Sequence, residues 1–145
     1  MGNELENDFS CSILLKQIHD IQEKNINNAL RDLDLTFTQV TILRTLMHSS
    51  GKQLSLKELE KILHVAQSTT ARITMKMENK GLIDSVGDVS DKRIKYIHLT
   101  QSGEQYCINA KQKFEEESAR ILSALTETEK MVFLSLLQKI KNSLS

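Results

Sequence analysis

Between Gly81 and Thr100 the apolar pattern of this chain switches from a helical period to a period of two, then switches back. Ile94, Tyr96 and His98 alternate against Lys95, Ile97 and Leu99, as a half-buried strand does. Ile83 to Val86 reads as a strand before it, and Gly87-Asp88-Val89-Ser90-Asp91 as the turn between them. A two-stranded ribbon has little stability alone in water, so this hairpin needs a helical body to pack on. The expected fold class is therefore mainly α with one small β-hairpin.

Helix signals fill the rest. Leu14, Ile18, Ile21, Ile26, Leu30 and Leu33 recur at helical spacing along the first segment. Thr36 and Gln39 form a capping box that opens a second helix, with Phe37, Val40, Leu43 and Met47 on one side and Ser49-Ser50-Gly51 as its end. A second box, Ser55 and Glu58, opens a third helix, with Leu54 and Leu59 set as a hydrophobic staple and Leu56, Leu59, Ile62 and Leu63 as its stripe. After a short break at His64 a fourth helix runs from about Ala66 to Lys80, with Val65, Thr69, Ile73 and Met77 expected inward and Gly81 as its left-handed stop. Thr100 opens a long helix after the hairpin, and a third box, Thr126 and Glu129, opens the last one. That last helix is apolar almost all round, from Met131 through Ile140, and such a helix is normally covered. At a chain terminus a partner subunit is the simplest cover. Proline is absent, which leaves these helices free of its breaks.

The chain has 145 residues, enough for one domain with a real core. Its net charge is zero, but residues 51–100 hold nine Lys/Arg against six Asp/Glu, while residues 1–50 hold four against seven. The positive excess lies where the short helices and the hairpin lie, and distribution decides electrostatic recognition more than the sum does. No run approaches the ~20 apolar residues of a membrane helix. The acidic start (Glu4, Glu6, Asp8) is unlike a signal peptide, so a cytoplasmic protein that does not engage membranes is expected. Cys11 and Cys107 are isolated and form no C-x-x-C, so free thiols are expected. The four histidines show no i, i+4 pair, and no metal ligand set or cofactor motif stands out. Gly51-Lys52 is not a phosphate loop, since Leu46 and Gln53 stand where Gly and Ser/Thr belong. Without a nucleophile elbow or dinucleotide turn either, no catalytic residue is assigned and an enzyme is not expected.

Two short helices joined by a tight turn and followed by a hairpin make Leu54 to Thr100 a winged helix-turn-helix by pattern. The stretch Val65-Ala66-Gln67-Ser68-Thr69-Thr70-Ala71-Arg72-Ile73 resembles the recognition helix of the MarR family of transcription regulators. Met77-Glu78-Asn79-Lys80-Gly81-Leu82-Ile83 is similar to that family's exit from the helix into the wing, and Asp91-Lys92-Arg93 with Leu99-Thr100 to its wing signature. Ala66 stands where the family often has a capping serine, and Met75 and Met77 replace the more usual basic and leucine residues. The resemblance covers nearly the whole chain. It implies a single domain over residues 1–145, with a DNA-binding lobe at about 36–100 and dimerisation helices at about 5–33 and 101–145. It also implies a homodimer on double-stranded DNA, most often a repressor, answering to a small-molecule effector.

Only the outward side of a recognition helix reaches base edges in the major groove. With Thr69 at the centre of the buried side, Gln67, Ala71 and Thr74 fall opposite, flanked by Ser68 and Thr70. Gln can pair with adenine, Ser and Thr with either base type, and Ala71 can touch a thymine methyl. Arg72 falls toward the buried edge, placed for a phosphate or for an ion pair with a wing acid such as Asp91. By resemblance Arg93 is the wing-tip arginine that enters a narrow minor groove. Lys92 and Lys95 are assigned to phosphates, and Asp91 by resemblance orients an arginine. Thr36, Thr38, Gln39 and Ser55 sit at helix starts, where backbone donors bind phosphate and where capping is also at work.

Two alternatives stay open. One family branch senses oxidant through a thiol near the start of its first helix, where Cys11 lies, though the tyrosines of that branch are missing at Thr36-Phe37-Thr38. A winged helix can also serve as a protein-interaction module without binding DNA. Cys107 is expected in the core, and Glu115-Glu116-Glu117 on a solvated helix face.

Overall fold

The computed structural model describes residues 2–145, with side chains described from Glu6 onward; Glu4 lies outside the described side chains. Six helices and three strands follow the order α1 (Gly2–Ala29), α2 (Phe37–Met47), β1 (Gln53–Ser55), α3 (Leu56–Leu63), α4 (Gln67–Asn79), β2 (Ile83–Gly87), β3 (Lys95–Leu99), α5 (Gln101–Ile121) and α6 (Glu127–Leu144). Contacts divide the chain into two units. Ile26–Phe114 form the winged lobe, and the residues before Ile26 together with Glu115–Ser145 form a terminal helical unit.

All three capping boxes are formed. Thr36, Ser55 and Thr126 each accept from the backbone N–H three residues on, and each N3 side chain answers the cap's own N–H. Each box satisfies two donors that a helix start leaves orphaned. The turn between α3 and α4 passes through His64 in the left-handed region (φ 53°). α4 starts at Ala66 with no side-chain cap, and ends where Gly81 takes φ 74° and Leu82 N–H returns to the Met77 carbonyl at 3.0 Å.

The wing is larger than a hairpin. β3 is the centre of a three-stranded antiparallel sheet in the order β1-β3-β2, with Leu54 opposite Ile97 and Ser85 opposite it on the other side. The added strand covers an edge of β3 that would otherwise be open. The start of α5 is locked to the exit of α4: Thr100 donates its hydroxyl to the Gly81 carbonyl at 2.7 Å and accepts from Gly103 N–H at 3.0 Å. Gly103 is required there, because a Cβ would lie 2.1 Å from the Leu82 carbonyl oxygen.

The core belongs to the lobe. Ile26, Leu30, Ile42, Leu43, Leu46, Leu59, Met77, Leu82, Ile83 and Ile97 are fully or almost fully buried and form one cluster. Cys107 packs partly buried against it, and burial pushes its thiol upward. In the terminal unit no described hydrophobic side chain is buried. Phe9, Ile13, Leu14, Leu15 and Ile18 on α1, and Met131, Leu134, Leu137 and Ile140 on α6, are all exposed in the single chain. No described helix is long and apolar enough to cross a membrane.

Candidate nucleic-acid interface

Helix α4 turns a face of mixed chemistry outward. Its buried side is Thr70, Thr74 and Met77, with Ile73 partly buried against the core. The expectation that put Thr69 at the centre of that side is corrected by about a quarter turn. Thr70 is 0% and Thr74 5% exposed, so neither lies on the outward face assigned to it from sequence. Threonine is tolerated there because its hydroxyl can bond back to its own helix. Thr70 donates to the Ala66 carbonyl at 3.3 Å, and Thr74 to those of Thr70 and Ala71, both at 3.0 Å. Val65, expected inward, is exposed, and so is Ile62 of the α3 stripe.

Two rows at i, i+4 spacing remain outward: Gln67-Ala71-Met75 and Ser68-Arg72-Lys76. All six are exposed except Ala71, which is partly buried. Arg72 therefore stands on the outward side, not at the buried edge. It is also not the partner of Asp91, whose carboxylate is taken by Arg93.

The wing holds that arginine in a fork. Arg93 Nε and Nη2 donate to Asp91 Oδ1 and Oδ2, both at 3.1 Å, and Arg93 N–H adds a third bond to Oδ1 at 3.0 Å. The guanidinium lowers the Asp91 pKa below the usual carboxylate value, and Asp91 raises that of Arg93. Two of the five guanidinium donors are used, so three remain for another acceptor. Asp88 organises the turn. Its Oδ2 accepts from Ser90 Oγ at 2.6 Å, Asp91 N–H at 3.0 Å and Ser90 N–H at 3.2 Å, and these bonds hold its carboxyl low. Lys92 and Lys95 are exposed beside the fork, and Val89 stands fully exposed at the tip.

The helix-start residues are mainly caps. Gln39 is 6% exposed and its side-chain oxygen accepts from Thr36 N–H at 3.2 Å, so the side chain is not presented to a phosphate as expected. Asn27, at the end of α1, accepts from Phe37 N–H at 2.7 Å. This residue was missed, because a cap ten positions away leaves no local signal. Thr36 is exposed, Thr38 and Ser55 are partly buried, and the Thr36 and Ser55 hydroxyls accept from Gln39 and Glu58 N–H. A cleft of about 480 Å³ opens beside this cap, lined by Asn28, Arg31, Asp34, Thr36, Lys76 and Lys80 among others. Cys11 is an exposed free thiol on α1. No group of His, Cys, Asp and Glu fit to hold a metal occurs among the described residues.

A helix with a polar outward face, followed by a wing that presents a fixed arginine, is the geometry that reads DNA from both grooves. The profile of the MarR family matches residues 35–95, from just before α2 to the first residue of β3. The chain is similar to the MarR family over those residues. Among curated relatives it is 27% identical over 118 residues to the uncharacterized HTH-type transcriptional regulator YybA of Bacillus subtilis, covering 81% of this chain and 77% of that one. It is 29% identical over 111 residues to the transcriptional regulator HosA of Escherichia coli, covering 76% and 80%. Among solved structures, the Staphylococcus aureus MepR–DNA complex aligns with a TM-score of 0.81 at 26% identity, over 91% of this chain and 96% of MepR. A mutant of E. coli MarR complexed with operator DNA aligns with a TM-score of 0.82 at 22% identity, over 92% and 95%, and shows the shared fold.

Proposed function

We propose that two copies of this chain, related by a two-fold axis, repress transcription in the cytoplasm by binding a pseudo-palindromic operator, and that a small-molecule effector releases them. The observation that carries the DNA reading is the pairing of an outward α4 face (Gln67, Ser68, Ala71, Arg72) with Arg93 held by Asp91. In this reading the α4 face enters the major groove and Arg93 the adjacent minor groove, with Lys92, Lys95 and the backbone at Thr36, Thr38 and Ser55 on phosphates. Two such lobes read half-sites about one helical turn, ~34 Å, apart. The exposed apolar faces of α1 and α6 support the second copy, because they form the part of the molecule that one chain leaves uncovered. The cleft at Arg31, Lys76 and Lys80 borders the recognition helix and supports an effector that shifts its position. A single domain over residues 1–145, with dimerisation helices flanking the reading lobe, follows from the same scheme.

The test is selection from a random duplex library by the wild type and by Arg93→Ala. The expected result is a two-fold symmetric motif that the variant binds more weakly. Absence of an enriched motif, with the two proteins alike across a salt series, would overturn the reading in favour of a protein-interaction module. The exposure of Cys11 keeps one second reading, a thiol switch. Alkylation of Cys11 abolishes any oxidant effect on DNA binding if the switch exists, and leaves an effector response intact if it does not.

A further inference from the structure

The two outward rows of α4 differ in chemistry. Ser68-Arg72-Lys76 ends in two cations, whereas Gln67-Ala71-Met75 passes from an amide to a methyl to a thioether. Met75 is 62% exposed although it is one turn from Ala71 and on the side away from buried Thr70, Thr74 and Met77. Scattered exposed apolar side chains are ordinary on a protein surface. This one continues a row whose first two members stand where the groove-facing side of a recognition helix stands, and that side carries no acidic residue before Glu78.

In the major groove only thymine offers an apolar feature, its C5-methyl, and adenine offers the acceptor–donor pair that a glutamine amide matches. A row of amide, methyl and thioether therefore fits a run of A·T pairs. Met75 suits the role because its unbranched, polarizable chain conforms to an irregular apolar surface.

Resting on the DNA reading above, we infer that Ala71 and Met75 form an apolar strip that reads thymine methyl groups beside an adenine bound by Gln67, so that each half-site contains an A·T run. The cationic row Ser68-Arg72-Lys76 lies along the phosphate side of the same groove.

The test replaces every thymine of the selected operator by uracil, which removes the methyl and leaves all groove donors and acceptors in place. Affinities of the wild type and of Met75→Ala are compared on both duplexes. Met75 is exposed, so the variant folds. Burying one methyl is worth about fourfold in affinity, so uracil weakens the wild type by about fourfold or more per half-site, and Met75→Ala is much less sensitive to the exchange. Equal binding of the thymine and uracil duplexes by the wild type would overturn the strip while leaving the DNA reading intact. An equal uracil penalty in both proteins would also overturn the two-residue strip, because Met75 would then read no methyl. Failure to bind either duplex would sink the DNA reading itself.

Discussion

The winged lobe and the terminal helical unit contain similar proportions of apolar residues and use them oppositely. Among the described residues every fully buried hydrophobic side chain, from Ile26 to Ala110, lies in the lobe, while α1 before Asn25 and α6 leave Phe9, Ile13, Leu14, Met131, Leu134 and Ile140 in the open. A helix that is apolar on most sides gains nothing from water and gains about 25 cal/mol for each Å² it covers. The lobe therefore closes its core within the chain, and in the proposed dimer a second copy covers the terminal unit. The reading elements and the pairing elements are thus separable by mutation.

The largest effect tests that separation directly. Leu134→Asp with Ile140→Asp, both exposed in the single chain, leaves a folded lobe and prevents pairing. Operator affinity then falls by roughly a hundredfold or more, the advantage of two linked half-sites. Sedimentation velocity and fluorescence anisotropy measure the two effects together. A paired variant with unchanged affinity would remove the distinction between the two regions. Next in size, Leu43→Ala in the fully buried core costs about 2–5 kcal/mol in denaturant unfolding. Leu136→Ala on the exposed α6 face, measured at concentrations too low for pairing, changes stability by about 0.5 kcal/mol or less. Comparable costs at the two positions would contradict the contrast. Arg93→Ala, on the exposed wing, weakens operator binding by roughly tenfold with little change in stability.

The smallest effect concerns pH. Asp88 and Asp91 have pKa values below the ordinary 3.8, held there by Ser90 and Arg93 respectively. A carboxyl whose folded pKa is depressed contributes order that is present above its unfolded pKa and lost as pH falls through the folded value. The wing turn therefore keeps its geometry through neutral and mildly acidic pH and loosens only below about pH 3.8. Chemical shifts of the Ser90 and Arg93 amides during titration report it. A transition near pH 5 would contradict the pairing. Both groups are only partly buried at the surface, so the change is local.

Much of this was legible because the signals are local. The three capping boxes, the Gly81 stop and the period change at Ile83 each depend on residues within one or two turns, and each formed where the spacing put it. The α4 face was misread because threonine counts as polar in sequence, whereas Thr70 and Thr74 satisfy their hydroxyls on their own helix and bury their methyls. β1 was missed because three residues are too few to show a period, and its pairing with β3 spans more than forty residues. Asn27 as the cap for Phe37, and Gly103 against the Leu82 carbonyl, are long-range demands that leave no trace in spacing. For the interface, Arg93 and Asp91 could each be marked from the resemblance to the wing signature, while their pairing with each other and the row containing Met75 emerged only in the structure.

In the proposed complex, reading and pairing belong to different regions of one chain, and two chains meet DNA together. The most direct test is the native mass of the complex with the selected duplex. Two chains per duplex are expected for the wild type, and loss of that complex for Leu134→Asp with Ile140→Asp while the free variant remains folded. One wild-type chain per duplex, or an intact two-chain complex in the variant, would contradict it.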